Sequence, residues 1–341
     1  MNELLRTLCD LPGISGFEDA VRDYIRTALA PFADEMHTDA AGNLVVFKRG
    51  RNRPKNRVLF AAHMDEVGFL VTHITDDGLL KFGTVGGFDP RVLLGRRVRV
   101  GDAAVPGVIS IKAIHLFEKE ERENVPAVSA LSIDIGAADR AEAEAAVSLG
   151  DPVVFDTEYA EYGDGRVLAK ALDDRVGCLA LMELCKSDLC YDTWFAFTVG
   201  EELGLGAAFL AETLCPDRAI ICEGTTAADL PGTPDHRKVC RQGEGAVLVY
   251  MDNRTVYHPA MFRAVSAAAE KIGAPYQVKE YISGGTDAGA IHVSAKGVRC
   301  AGIAVAVRSI HSSASTASLA DIRAMCDIAR ACTESEEIYN D

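Results

Sequence analysis

Five side chains of metal-binding type, His63, Asp173, Glu202, Glu223 and His311, fall where an apolar run ends or a helix is about to begin. In open α/β sheets the carboxyl ends of the parallel strands face the functional crevice. An apolar run followed directly by an ionisable residue therefore points into it. Four runs have this form: residues 58–62 before His63, 194–199 before Glu201 and Glu202, 219–222 before Glu223, and 303–307 shortly before His311. Asp173 opens a fifth segment, which leads into an apolar helical pattern over residues 178–185.

Taken one at a time, these residues have plainer uses. His63 and Asp65 form a His-x-Asp pair that suits a core histidine; on a metal, the same carboxylate would fix the tautomer and strengthen the ligand. Asp173-Asp174 suits a helix N-cap. Glu201 and Glu202 are harder to explain away, because adjacent carboxylates at the buried end of a sheet repel unless a cation or proton neutralises them. As a set the residues match a larger need. Two divalent ions about 3.5–4 Å apart call for about five protein ligands, one carboxylate bridging, with a further carboxylate left to take a proton from water. Imidazole with carboxylate suits Zn²⁺ and Co²⁺ first and Mn²⁺ next. Adjacency alone does not say which glutamate is ligand and which is base.

The elements that must position these residues follow from pattern. A helix is predicted over residues 18–32 after a Pro-Gly turn, and a strand from Val58 after the turn-forming residues 39–43. From about Phe69 to Thr157 the pattern changes to short alternating runs separated by glycines, such as residues 79–82, 97–100 and 107–111. Helices and buried strands alternate again from Leu172, through a strand at 246–250, to a closing helix near 319–332. The expected fold is α/β: a mixed, largely parallel sheet flanked by helices, in residues 1–70 and 166–341, with a β-rich domain inserted at 71–165. With 341 residues, 48% hydrophobic and 25% charged, the chain can bury a large core. A net charge of −15 argues against a nucleic-acid partner. The amino terminus lacks a signal-peptide pattern, and no apolar run approaches the roughly 18 residues of a membrane span. Ten cysteines without repeated CxxC spacing read as free thiols in a reducing compartment, the cytoplasm.

The motifs His63-Met64-Asp65, Ala171-Leu172-Asp173-Asp174-Arg175, Glu201-Glu202-Leu203-Gly204, Glu223 ahead of Asp229-Leu230-Pro231-Gly232, and Arg308-Ser309-Ile310-His311-Ser312 resemble, in this order, those of the M42 metallo-aminopeptidases. Residues 13–18, 42–44, 133–136 and 284–289 resemble the same family, so the likeness covers nearly the whole chain. It implies a zinc-peptidase-like catalytic domain with two divalent ions per subunit. His63 and Glu223 would hold one ion, Glu202 and His311 the other, and Asp173 would bridge them. Glu201 would be the catalytic base, Asp65 would orient His63, and Asp174 would hold the backbone beside the bridge. The resemblance further implies short peptides with a free amino terminus as substrates, and a homo-oligomer, the self-compartmentalising dodecamer, assembled through the insert. Two positions depart from the family pattern: Glu223 stands where aspartate is usual, and Gly200 where glutamine is usual. They keep open a catalytically weak, oligomeric binding protein. Some similar proteins carry a glucanase label, although glycoside cleavage needs two carboxylates and gives the histidines no general part. The preferred amino-terminal residue is left open.

Overall fold

Residues 58–62 are apolar without alternation, the pattern of a strand covered on both faces, and they lie at the centre of the sheet. The computed structural model describes residues 1–119 and 123–341; residues 120–122 of the expected insert lie outside the described residues. The chain first forms β1 (Glu35–Thr38), β2 (Leu44–Lys48) and the wholly buried β3 (Val58–His63). Six strands follow: β4 (Gly68–Ile74), β5 (Leu80–Val85), β6 (Arg97–Val100), β7 (Val105–Ser110), β8 (Ser132–Asp134) and β9 (Pro152–Phe155). After β10 (Ala160–Tyr162) and β11 (Arg166–Ala169) come β12 (Thr193–Thr198), β13 (Arg218–Thr226), β14 (Ala246–Val249), β15 (Tyr276–Val278), β16 (Arg299–Val307) and β17 (Ser315–Ser318).

The main sheet has the order β1-β2-β12-β3-β13-β16-β14-β15, with β12, β3, β13 and β16 parallel. Helices Asn2–Asp10, Asp19–Leu29, Leu172–Lys186, Pro259–Ile272 and Leu319–Cys332 cover one face, and Ala207–Leu214 with Ala288–Ile291 cover the other. The α/β architecture is the one expected. One strand differs. The run 219–222 was expected to end before Glu223, but β13 continues to Thr226. Its ladder with β3 stops at Ile221 while its ladder with β16 runs on to Thr226. Glu223 therefore lies within a strand and beyond the ladder of its neighbour β3, where its side chain can enter the crevice.

Helix Leu172–Lys186 is buried on nearly all sides, as an all-round apolar helix must be. Its start needs Gly177, where a Cβ would come within 2.4 Å of the Cys222 carbonyl oxygen. That close approach brings Asp173 to the strand carrying Glu223. Asp173 and Asp174 themselves have non-helical dihedrals, and their peptide bond is cis.

Strands β4 to β9 close into a separate barrel, in the order β4-β5-β8-β7-β6-β9. β10 and β11, within or next to the expected insert of 71–165, form instead a separate three-stranded sheet in which β11 pairs with β10 and with β17 of the catalytic part. The barrel core is aromatic: Phe69 stacks on Phe88 with centroids 4.8 Å apart and meets Phe82 and Phe155 edge-on at 5.0 and 5.4 Å. All ten cysteines are free thiols. No helix of the described residues is long and apolar enough to cross a membrane.

Phe69→Ala should cost about 3–5 kcal/mol, the usual loss for an aromatic truncated in a core, read as a lower urea midpoint. A loss below about 1 kcal/mol would show that the barrel does not depend on this ring.

Candidate metal centre

All five candidate ligands converge. His63 ends β3, and its Nε2 lies 3.1 Å from Glu223 Oε1 and 3.4 Å from Asp173 Oδ1. His311, in the turn after β16, places Nε2 3.1 Å from Glu202 Oε2 and 3.6 Å from Asp173 Oδ2. Asp173 thus offers one oxygen to each imidazole. Potential ligand atoms of His63, Asp173 and Glu202 lie within 4.8 Å of one another, as do those of His63, Glu201 and Glu223.

The other nitrogen of each ring is already engaged. His63 Nδ1 is 3.0 Å from the Asp65 carbonyl oxygen, and His311 Nδ1 is 3.0 Å from the Gly87 carbonyl oxygen at the barrel rim. A proton on Nδ1 donated to a carbonyl leaves Nε2 as the nitrogen turned to the cluster. Asp65 was expected to orient His63 with its carboxylate. It does so mainly with its main-chain oxygen, the Oδ1–Nδ1 distance being 3.3 Å.

The Asp65 carboxylate serves the glutamate turn. Oδ1 accepts the Glu201 N–H at 3.1 Å, and Oδ2 accepts the Glu202 N–H at 3.1 Å and the Ser15 hydroxyl at 2.6 Å. The two preceding N–H groups are bound as well. Val199 donates to Asn43 Oδ1 at 3.0 Å and Gly200 to Glu18 Oε1 at 3.1 Å. Each backbone donor from 199 to 202 therefore ends on a side chain from the first 65 residues, which sets the turn rigidly. Gly200 has φ +66°, a conformation that favours glycine and accounts for its presence at the end of β12. Sequence reasoning missed Ser15, Glu18 and Asn43 as positioning residues. They lie in segments that resembled the family, but nothing local linked them to the glutamates.

Asp174 ties the fifth segment down. Oδ1 accepts the Gly177 N–H at 2.9 Å, a capping bond, and Oδ2 accepts the His63 N–H at 3.2 Å. The capping use proposed for Asp173-Asp174 thus belongs to Asp174, and Asp173 is left to the cluster. Residues 284–289, one of the segments that resemble the family, lie beside the site. There Asp287 Oδ2 accepts the Thr198 hydroxyl at 2.5 Å and Thr286 lines the cavity.

The electrostatics test whether a cation suits the cluster. Burial, with Glu223 next, pushes the Glu201 carboxyl well above the ordinary carboxylate range. Burial also raises Glu202 and takes Glu223 to about 8. Burial alone would lower both imidazoles, yet Asp173 and the neighbouring carboxylates outweigh it and hold His63 and His311 above their ordinary range. Asp173, between the two imidazoles, is instead lowered to about 2 against its burial; the raised groups around it report a shortage of positive charge, which protons or divalent ions can supply. Asp173 Oδ1 is buried without a hydrogen-bond partner, an arrangement that a bound cation would satisfy. The donor set fits divalent metal.

The M42 glutamyl aminopeptidase family profile matches residues 42–328. The chain belongs to the M42 peptidase family. An aminopeptidase structure from Desulfurococcus kamchatkensis is 33% identical, with TM-score 0.92, covering 97% of this chain and 93% of that one. The Pyrococcus horikoshii TET1 peptidase, described as assembling into a tetrahedron or a large octahedral shell, is 36% identical with TM-score 0.85 over 96% and 98% of the two chains. The lysyl aminopeptidase of Pyrococcus furiosus is 29% identical over 97% of this chain and 96% of its own. A Thermotoga maritima structure named endoglucanase is 34% identical with TM-score 0.82, over 98% and 97%. As a member of the M42 aminopeptidases, the chain is a peptide hydrolase.

Asp65→Asn replaces an acceptor of two backbone N–H groups with an amide that can satisfy one. The M42 scaffold predicts a 10–100-fold fall in kcat/KM on aminoacyl reporters at saturating divalent metal, together with a loss of about 1–3 kcal/mol in stability. Unchanged kinetics and unchanged unfolding would show that the turn holds without it.

Proposed function

We propose that this M42 peptidase is a co-catalytic two-metal aminopeptidase that removes the first residue of short peptides with a free amino terminus. The observation that carries this reading is Asp173, whose two oxygens face the two imidazoles. His63 and Glu223 would hold one ion, Glu202 and His311 the other, with Asp173 between them. Zn²⁺ or Co²⁺ suits these donors best, with Mn²⁺ next. Two such ions would lower the pKa of a water in the cluster and polarise the scissile carbonyl.

The remaining work belongs to the chain. Glu201 is next to the ligands without being needed as one, and burial raises its carboxyl, the direction a proton acceptor requires near neutral pH. Its carboxylate takes the proton of the attacking water and returns it to the departing amine nitrogen. Asp65 holds Glu201 and Glu202 by successive backbone N–H groups, so the base and the adjacent ligand keep a fixed spacing. The glucanase alternative is supported by the name of the Thermotoga maritima relative, but glycoside cleavage leaves the paired imidazoles without a part. We also assign the barrel to subunit contacts, in keeping with the assemblies described for the Pyrococcus horikoshii relative. The reducing compartment suggested by ten free thiols is the cytoplasm.

Glu201→Gln should keep the metals and lose on the order of 10²–10⁴ in rate, whereas Glu202→Gln should weaken one metal site and recover partly as metal is raised. Equilibrium dialysis with metal analysis decides, and the opposite pattern would reverse the roles. Chelation to trace metal should abolish peptide hydrolysis; full activity without metal, or glucan hydrolysis that persists without it, would sink the reading. Light scattering should find an oligomer at micromolar concentration, and a strict monomer would rule out the assembly role.

A further inference from the structure

A second cavity, of about 370 Å³, lies at the amino ends of the parallel strands, the opposite end of the sheet from Glu223, and gathers basic side chains. Arg218 opens β13 and Arg299 opens β16, and the two are partners in the parallel register. Their side chains therefore leave the same face, and like charges stand side by side. Helix Pro259–Ile272 covers that face and adds Arg263 to the wall, its His258 N-cap tied to β16 by an N–H bond to the Cys300 carbonyl at 3.1 Å. Arg218 is buried, 6% exposed, and donates to the neutral Glu337 carbonyl. None of the three guanidiniums has an ion-pair partner among the described residues: Asp217, next to Arg218, is held by Lys296 at 2.6 Å, and Glu337 and Asp341 line the cavity without pairing. Burial, with Arg299 next, pushes Arg218 below its ordinary value, and burial with the three arginines does the same to His258. His258 Nδ1 is buried without a hydrogen-bond partner. Buried cations gathered in this way are costly unless an anion completes them.

We propose that this cavity binds a polyvalent phosphate, the diphosphate group of a nucleotide or inorganic pyrophosphate, between Arg218, Arg263 and Arg299. Guanidiniums present planar forks that match phosphate oxygens two at a time. The start of helix Pro259–Ile272 has no side-chain cap bond, so its free N–H groups and the positive end of its dipole add to the same field. The volume is in the range of small-molecule sites, about 300–1,000 Å³, which leaves room for more than one phosphoryl group. Ala260, Ala264 and Ala267 line the helix side and are small enough to leave space for an organic part. The site is separate from the peptidase chemistry. Arg218 precedes Glu223 on β13 by a rise of about 16 Å, at roughly 3.3 Å per residue, so the anion binds without displacing a peptide.

Isothermal titration calorimetry of the metal-loaded protein tests this with pyrophosphate, ADP and adenosine, at one ionic strength so that screening is constant. Pyrophosphate and ADP should each bind saturably with Kd below about 1 mM, and adenosine should not. Truncating the buried Arg218 puts the fold at risk, so the variants are made at the exposed Arg299 and Arg263. Arg299→Gln and Arg263→Gln should each weaken both phosphate probes about tenfold or more, the loss of one charge-assisted bond. Both should leave the urea midpoint of the unliganded protein no lower, because each removes a repelling charge. Phosphates also bind divalent metal. Affinity unchanged in both variants, or binding that disappears on chelation, therefore places the probe on the metal cluster and overturns the assignment. Absence of saturable binding by either phosphate probe, or adenosine binding as tightly as ADP, overturns it as well. ADP binding more tightly than pyrophosphate upholds the site and names a nucleotide as its source, and equal or weaker ADP binding upholds it for inorganic pyrophosphate.

Discussion

Asp173, Glu201, Glu202 and Glu223 are held together in a crevice where solvent does little to screen them, and their mutual repulsion is the constraint that the rest of the structure answers. Two imidazoles face them, and each turns its Nε2 inward because its Nδ1 is committed to a carbonyl oxygen. Such a group is unfavourable alone and strongly binding toward cations. Its spacing therefore has to be imposed from outside the cluster.

That imposition is mostly backbone hydrogen bonding. The four N–H groups at the end of β12 are fixed by Asn43, Glu18 and Asp65, and Asp174 links the first turn of the central helix to His63. These bonds join segments far apart in the chain. Behind them Glu66 accepts from Lys170 at 2.6 Å and from the Gly13 N–H at 3.1 Å, which ties the amino-terminal segment under the same loop. The barrel adds one contact of its own through Gly87, and Phe88 next to it is anchored on Phe69. An insert that resembles a separate module is thus in contact with a candidate ligand.

The same charge logic extends into the cavity. The cavity beside the cluster is lined by Lys279 and Arg254 as well as by the carboxylates. Lys279 is held there by the Ser283 carbonyl and by its burial, so its placement depends on the loop that carries Ser283.

Much of the framework was legible in the residues themselves. Continuous apolar runs marked the central parallel strands, because strands covered on both faces cannot alternate, and the closing helix runs over Leu319–Cys332 as its periodicity indicated. The ligand types at the ends of these runs pointed to a metal-binding crevice, since strand ends in such sheets face one place. What the sequence left open depends on register and side-chain direction. Local pattern could not show that β13 continues past Glu223, because that is decided by how far β16 pairs compared with β3. It could not divide Asp173 from Asp174, or give the Asp65 carboxylate to the glutamate turn, because both depend on contacts across more than a hundred residues. Lys279 looked like any lysine after a strand. Only folding, by burying its ammonium beside the cluster with no ion-pair partner among the described residues, made it chemically distinct.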